Sequence, residues 1–204
     1  MCEKSIIAIT GPSGVGKTTL GKRLALDFGI QVPRHCTTRL KRNDDIDGFY
    51  RYLSHDEYKK KFNNREFLIS SGDAEIISPQ FGNFYGVLKS DCIEAWKKSD
   101  KIILYVSYKD IYQLITLKEK INIDIVNLIY NNIALGVEYR LRRDEIRLHT
   151  EADISKRINS ALEDECQFGR LIKENATSII CTENYDIEQT FSKACSDLKL
   201  VKKR

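Results

Sequence analysis

Residues 11–18 read Gly11-Pro12-Ser13-Gly14-Val15-Gly16-Lys17-Thr18, which meets the pattern G-x-x-x-x-G-K-[ST] at every fixed position. An apolar run, 6–10, precedes the segment, and a helical pattern over 17–27 follows it. That order constrains the chain strongly. Glycines let the backbone curl until successive N–H groups point at one anion, and the start of the helix adds its positive dipole end. The expected phosphate-binding set is Gly11, Ser13, Gly14, Val15, Gly16, Lys17, Thr18 and Thr19. Lys17 reaches the terminal phosphates in such a loop, and the Thr18 hydroxyl is the expected metal ligand, for Mg²⁺. A nucleoside triphosphate is therefore the expected ligand.

The rest of the chain agrees with that start. Further buried-type strands are expected at 102–107, 123–130 and 178–181, with helical patterns between them. Ser54-His55-Asp56-Glu57 is a capping box, Ser90 is expected to cap another helix, and Thr150-Glu151-Ala152-Asp153 opens a long one. Apolar residues at Ile154, Ile158, Ala161 and Leu162, and at Ile187, Phe191, Ala194, Cys195 and Leu198, trace one face of each of the last two helices. Strands alternating with helices predict an α/β fold, a doubly wound parallel sheet of P-loop NTPase type.

Composition narrows the classes further. With 204 residues, 42% hydrophobic and 30% charged, the chain suits one globular domain and excludes a disordered one. No apolar run approaches the ~18 residues of a membrane span, and the run before Gly11 is too short for a signal peptide. The cytoplasm is the expected location, with no membrane partner. The six cysteines are scattered without a C-x-x-C pair, so they read as reduced and structural. A net charge of +4 is too mild to argue for nucleic-acid binding.

The charge is concentrated instead. His35-Cys36-Thr37-Thr38-Arg39-Leu40-Lys41-Arg42 is followed by Asp45, Gly48 and Tyr50, and later by Gly82-Asn83-Phe84-Tyr85-Gly86. Taken with the loop at 11–19, the T-T-R-x-x-R segment and the G-N-x-Y-G segment resemble the guanylate kinase family of P-loop monophosphate kinases. The likeness continues through the arginine-rich stretch at 140–157 to the last helix. It implies an acceptor-binding subdomain over 35–88, a lid over 138–157, and a core made of 1–34, 89–137 and 158–204. It also implies that Arg39, Arg42, Tyr50 and Tyr85 hold the acceptor's phosphate, with His35 beside them. The chemistry suits a dianion, since arginine supplies planar forked donors and tyrosine adds neutral ones.

The base-reading residues depart from the family pattern. Guanylate kinases read guanine with carboxylates, and the matching positions hold Ile69, Tyr105 and Ser107. Ile69 cannot accept a hydrogen bond, and leaving a buried donor unpaired costs about 1–3 kcal/mol. Asp45 matches a family glutamate near the base. Asp73 and Glu75, in a segment longer than usual between Phe67 and Gly82, are the other acids placed to compensate. Asp110 is a candidate for the metal-side acid that Tyr105 cannot supply. Phe67-Leu68-Ile69-Ser70 and Tyr85-Gly86-Val87 also resemble ribose 1,5-bisphosphate phosphokinases slightly, whereas Arg42 is a guanylate-kinase trait.

Arg140, Arg142, Arg143, Arg147, Lys156 and Arg157 form the lid cluster. Phosphoryl transfer spreads negative charge that such a lid can stabilise. Thr150-Glu151 to Lys156-Arg157 matches the family's T-E-x-x-x-x-K-R spacing, which makes Arg157, with Arg143 and Arg140, the expected catalytic partners of Lys17. Asn184 matches the family's asparagine near the adenine. The resemblance implies transfer of the ATP γ-phosphoryl, with Mg²⁺, to a phosphate-bearing small molecule, GMP first. The alternatives are another phosphorylated acceptor such as ribose 1,5-bisphosphate, a non-catalytic binding module, and a slow hydrolytic switch.

Overall fold

A computed structural model describes residues 3–43, 45, 47–71, 82–143, 149–183 and 186–201. The elements in chain order are β1 (Ser5–Thr10), α1 (Lys17–Phe28), β2 (His35–Thr37), β3 (Tyr50–Tyr52), α2 (His55–Asn63), β4 (Phe67–Ser70) and β5 (Tyr85–Leu88). Then come α3 (Lys89–Trp96), β6 (Lys101–Tyr105), α4 (Ile111–Ile115), β7 (Asn122–Ile129), α5 (Ile133–Arg142), α6 (Glu151–Asn175), β8 (Ser178–Cys181) and α7 (Ile187–Asp197).

The strands form two sheets. The first is fully parallel, in the order β6-β1-β7-β8. Its central strand β1 is buried along its whole length, and its side chains alternate between two apolar clusters. Ile7 and Ile9 join Leu20 and Leu24 of α1, Val137 and Leu141 of α5, and Ala194 and Leu198 of α7. Ile6 and Ala8 join Cys92 and Ala95 of α3, Ile111 and Leu114 of α4, and Ile172 of α6. Helices thus cover both faces, which is why β1 reads as a continuous apolar run. Each fully buried isoleucine contributes about 1.5–3 kcal/mol.

The second sheet is mixed, in the order β3-β2-β5-β4. With α2 it encloses a core of its own around Tyr58, which stacks between Phe67 at 4.6 Å and Phe84 at 5.0 Å. The Tyr58 hydroxyl donates to the Tyr85 carbonyl (2.5 Å) and accepts from the Ser71 N–H (3.0 Å).

Local chemistry sets the helix boundaries. The capping boxes at Ser54 with Glu57 and at Thr150 with Asp153 form as the spacing predicts. Ser90 does not cap α3: the helix starts at Lys89, behind Leu88, with no side-chain cap. Leu162 stands 45% exposed, so α6 is buried along a narrower stripe than its sequence suggested. No helix among the described residues is long and apolar enough to cross a membrane. The five described cysteines carry no disulfide.

Long-range polar contacts join the two sheets. Gln113 at α4 donates to the Ser70 carbonyl (2.8 Å) and accepts from the Ser70 N–H (3.1 Å). Asp91 of α3 accepts from Arg51 of β3 at 2.8 Å. His35 of β2 accepts the Tyr105 N–H at 3.2 Å through Nε2, which leaves Nδ1 as donor to the Pro33 carbonyl at 3.0 Å. That network assigns the neutral tautomer.

Candidate active site

The site lies at the carboxyl edge of the parallel sheet, where open α/β sheets bind ligands. The loop from β1 to α1 curls as the motif predicts. Gly11 sits at φ 141°, and a Cβ there would collide with the Leu128 carbonyl. Gly16, at φ 101°, precedes α1 as its N-cap, and no side chain caps the helix or puts an acid in its first turn. The first-turn N–H groups therefore face an anion site of positive potential.

Lys17 is anchored inside the loop by donating to the Gly11 carbonyl (2.6 Å) and the Pro12 carbonyl (2.8 Å). Burial pushes its ammonium down to about 8, and the Asp164 carboxylate partly offsets that shift. Asp164, on α6, is only 9% exposed. Burial raises its carboxyl above the ordinary value, while Lys109 and, more weakly, Lys17 pull it back.

A cleft of about 390 Å³ runs from this loop to the inner face of the mixed sheet. Gly11, Ser13, Lys17, Thr18, His35, Arg39, Arg42, Tyr50, Tyr85, Ser107, Asp110 and Arg157 all line it, so the structure gathers most of the expected set. Arg157 donates to the Ser13 hydroxyl at 3.1 Å, which ties α6 to the phosphate loop. A second hollow of about 460 Å³ lies on the other side of the loop, lined by Val15, Gly16, Thr19, Leu26, Arg140, Thr182, Asp186, Ile187 and Phe191. Gly14 stands against the stem of Arg140. Asn184, Asp73, Glu75 and Arg147 lie outside the described residues.

Four expectations change. Asp45 does not line the cleft. Its carboxylate accepts both Arg39 Nη atoms (2.5 and 2.6 Å), the Tyr52 hydroxyl (2.6 Å) and the Arg42 N–H (2.8 Å). Those bonds, Arg39's first, hold its carboxyl well below the usual range. Asp45 thus fixes Arg39, whose guanidinium also lies 4.5 Å over the Tyr50 ring. Arg143 is exposed, with its guanidinium donating to the Tyr139 hydroxyl and stacked on that ring, away from the cleft. Asp110, expected on the metal side, accepts the Ser107 hydroxyl at 2.6 Å and is electrostatically coupled to Tyr58 of α2, which packs against the mixed sheet. It lines the cleft close to where α4 meets the mixed sheet through Gln113 and Ser70.

His35 is the fourth. Both ring nitrogens are engaged by backbone, and the ring stacks on Phe49 at 5.2 Å. It braces the cleft wall and has no donor left for a ligand. Burial pushes it down to about 4. The native state therefore holds His35 neutral where the unfolded chain would protonate it. That contribution is complete above about pH 6.5 and is lost as the pH falls towards about 4. The full loss is on the order of 3 kcal/mol. Denaturant unfolding of the protein and of His35→Asn across this range should show a steeper acid loss for the parent; equal slopes would refute the assignment.

Sequence reasoning missed Tyr52, which holds Asp45, and Asp164. A signal for Asp164 existed: ten residues after Ile154 and seven after Arg157, it puts an acid on the inward face of α6. Arg142, read only as one of the cluster, pairs with Glu138 of its own helix (2.9 Å) and bridges α5 to α6 through Glu151 (2.7 Å).

A curled phosphate loop with a half-buried lysine, opening onto a cleft walled by arginines and tyrosines, defines a P-loop phosphotransferase. A guanylate kinase family model matches residues 3–191, and the chain belongs to that family. The guanylate kinase of Fusobacterium nucleatum is 27% identical over 183 residues, spanning 88% of this chain and 92% of that protein. The guanylate kinase of Chlamydia abortus is 30% identical over 124 residues, 59% of this chain and 56% of that one. The crystal structure of guanylate kinase from Anaplasma phagocytophilum superimposes with a TM-score of 0.66, over 100% of this chain and 89% of that chain. At 18% identity that last likeness speaks for the fold.

Proposed function

We propose that the protein transfers the γ-phosphoryl group of ATP, with Mg²⁺, to GMP. One observation carries the reading: the phosphate loop, Arg157 and the cluster of Arg39, Arg42, Tyr50 and Tyr85 line a single cleft. A donor polyphosphate on the loop and an acceptor phosphate on the cluster would then meet in line.

Lys17 sits where it neutralises charge on the transferring group, and Arg157 adds a second cation from α6. Arg39, held rigid by Asp45, presents its remaining face to the acceptor phosphate together with Arg42 and the two tyrosine hydroxyls. That phosphate is already a nucleophile at neutral pH, so no general base is needed. The second hollow, mostly apolar and edged by Arg140, suits a flat base, and we assign it to the adenine of ATP. Segment 138–157 would act as a lid that excludes water on closing. Hard oxygen donors, the Thr18 hydroxyl and the carboxylates of the cleft, suit Mg²⁺, which would neutralise the β- and γ-phosphates when bound. Guanine's N–H donors need an acceptor that Ile69 does not offer, and the Ser107–Asp110 pair supplies one at that end. Scattered reduced cysteines fit a cytoplasmic enzyme.

The test is ADP release from ATP and Mg²⁺ with GMP, dGMP, AMP, UMP, CMP and ribose 1,5-bisphosphate offered in turn. Stimulation by GMP and dGMP is expected. Turnover on another acceptor with none on GMP would overturn the reading, and no stimulation by any of them would favour a binding module.

A further inference from the structure

The Asp164 carboxylate stands out among the described residues. It is 9% exposed and lines the cleft with Lys17, Thr18 and Arg157. Its Oδ1 makes no hydrogen bond to any of the described residues. Among the described residues, the cation within ion-pair distance is the Lys109 ammonium, which stands 3.8 Å away and is itself 42% exposed. A buried carboxylate oxygen without a donor is costly, and native structures keep one where a ligand completes it. Lys17 is not that partner, because its hydrogen bonds go to the Gly11 and Pro12 carbonyls.

The placement is also adverse to the proposed substrate. A carboxylate beside a polyphosphate repels it, unless a cation lies between them. P-loop enzymes commonly take an acid for that purpose from a strand next to the loop. Here the carboxyl end of β6, which pairs with β1, carries Tyr105. Its hydroxyl is buried without a hydrogen bond and stands against Gly21 of α1, where a Cβ would collide with it. The strand offers no carboxylate, and α6 does. No group of three or more His, Cys, Asp or Glu among the described residues could hold a metal alone. That fits a cation bound chiefly through phosphates, with one or two protein oxygens.

We propose that Asp164 is the carboxylate that stabilises the divalent cation accompanying ATP, acting with the Thr18 hydroxyl that lines the same cleft. The inference rests on the phosphotransferase reading and adds the metal-side residue to it.

The sign of two binding constants tests it. ATP affinity is measured by calorimetry without acceptor, once in Mg²⁺ and once in EDTA, for the parent protein and for Asp164→Asn. Loss of a metal-holding carboxylate should weaken binding in Mg²⁺ by about 10-fold or more. Binding in EDTA should be unchanged or tighter, because a repelling charge is gone. If Asp164 instead merely positions Lys17 or the helix, both affinities fall together, and the proposal is overturned. Lys109→Met is the second variant and should keep the Mg²⁺-dependent gain in full. Loss of that gain in Lys109→Met would mean that the ion pair, not the metal, explains Asp164. Failure of the parent protein to bind ATP under either condition would instead overturn the phosphotransferase reading.

Discussion

Replacing Lys17 by alanine should lower phosphoryl transfer by at least about 10³-fold, the scale on which a cation acting on a transferring phosphate contributes. The structure says why no neighbour substitutes. Lys17 is half-buried inside the loop, held by two carbonyls that fix its direction. Arg157 approaches the same loop from α6, but through the Ser13 hydroxyl. Burial already pulls the ammonium down to about 8, so the protein expends stability to keep a charge there. Its removal relieves that desolvation while losing two hydrogen bonds to the loop, so the melting temperature should move little. The measurement pairs ADP release with thermal unfolding. Transfer retained within tenfold in a folded Lys17→Ala protein would remove Lys17 from the mechanism.

The second large effect is expected at Asp45. Asp45→Asn should destabilise the protein by about 3–5 kcal/mol and raise the acceptor's KM more than it lowers kcat. The Arg39 and Asp45 side chains are 7% and 3% exposed, and they meet through two parallel hydrogen bonds. An asparagine amide would direct a donor at a guanidinium that has only donors. A buried cation would then lack its counter-charge, and the acceptor's phosphate would meet an arginine free to swing. Acid alone should not reproduce this at moderate pH. The folded carboxyl is held below its ordinary value, so its contribution is complete above the unfolded value of about 3.8 and disappears only as the pH falls through the lower folded one. Urea unfolding and acceptor titrations of Asp45→Asn test both parts. A variant of parent stability with an unchanged KM would show that Asp45 does not hold Arg39 in place.

Much of this was legible in the chain because it is local. The phosphate loop is eight consecutive residues whose glycines and lysine have one use together. The strands of the parallel sheet declare themselves as apolar runs, since a strand covered on both faces has no polar side to show. The capping boxes at Ser54 and Thr150 are completed within four residues. Arg39, Arg42, Tyr50 and Tyr85 could be named from their motifs, and they do share one cleft.

What the tertiary structure alone decided concerns partners distant in sequence, or near in sequence but set by a turn. Asp45 looked like a base reader until the loop after β2 folded it back onto Arg39 and Tyr52. His35 looked like a ligand residue until β6 supplied a backbone N–H to its ring. Asp164 had no role in the sequence reading, and only the packing of α6 over the carboxyl edge of the sheet buries it beside Lys17. The physical reason is common to all three. A side chain's type states what it can donate, accept or charge, whereas its role depends on which of those capacities the fold has already used.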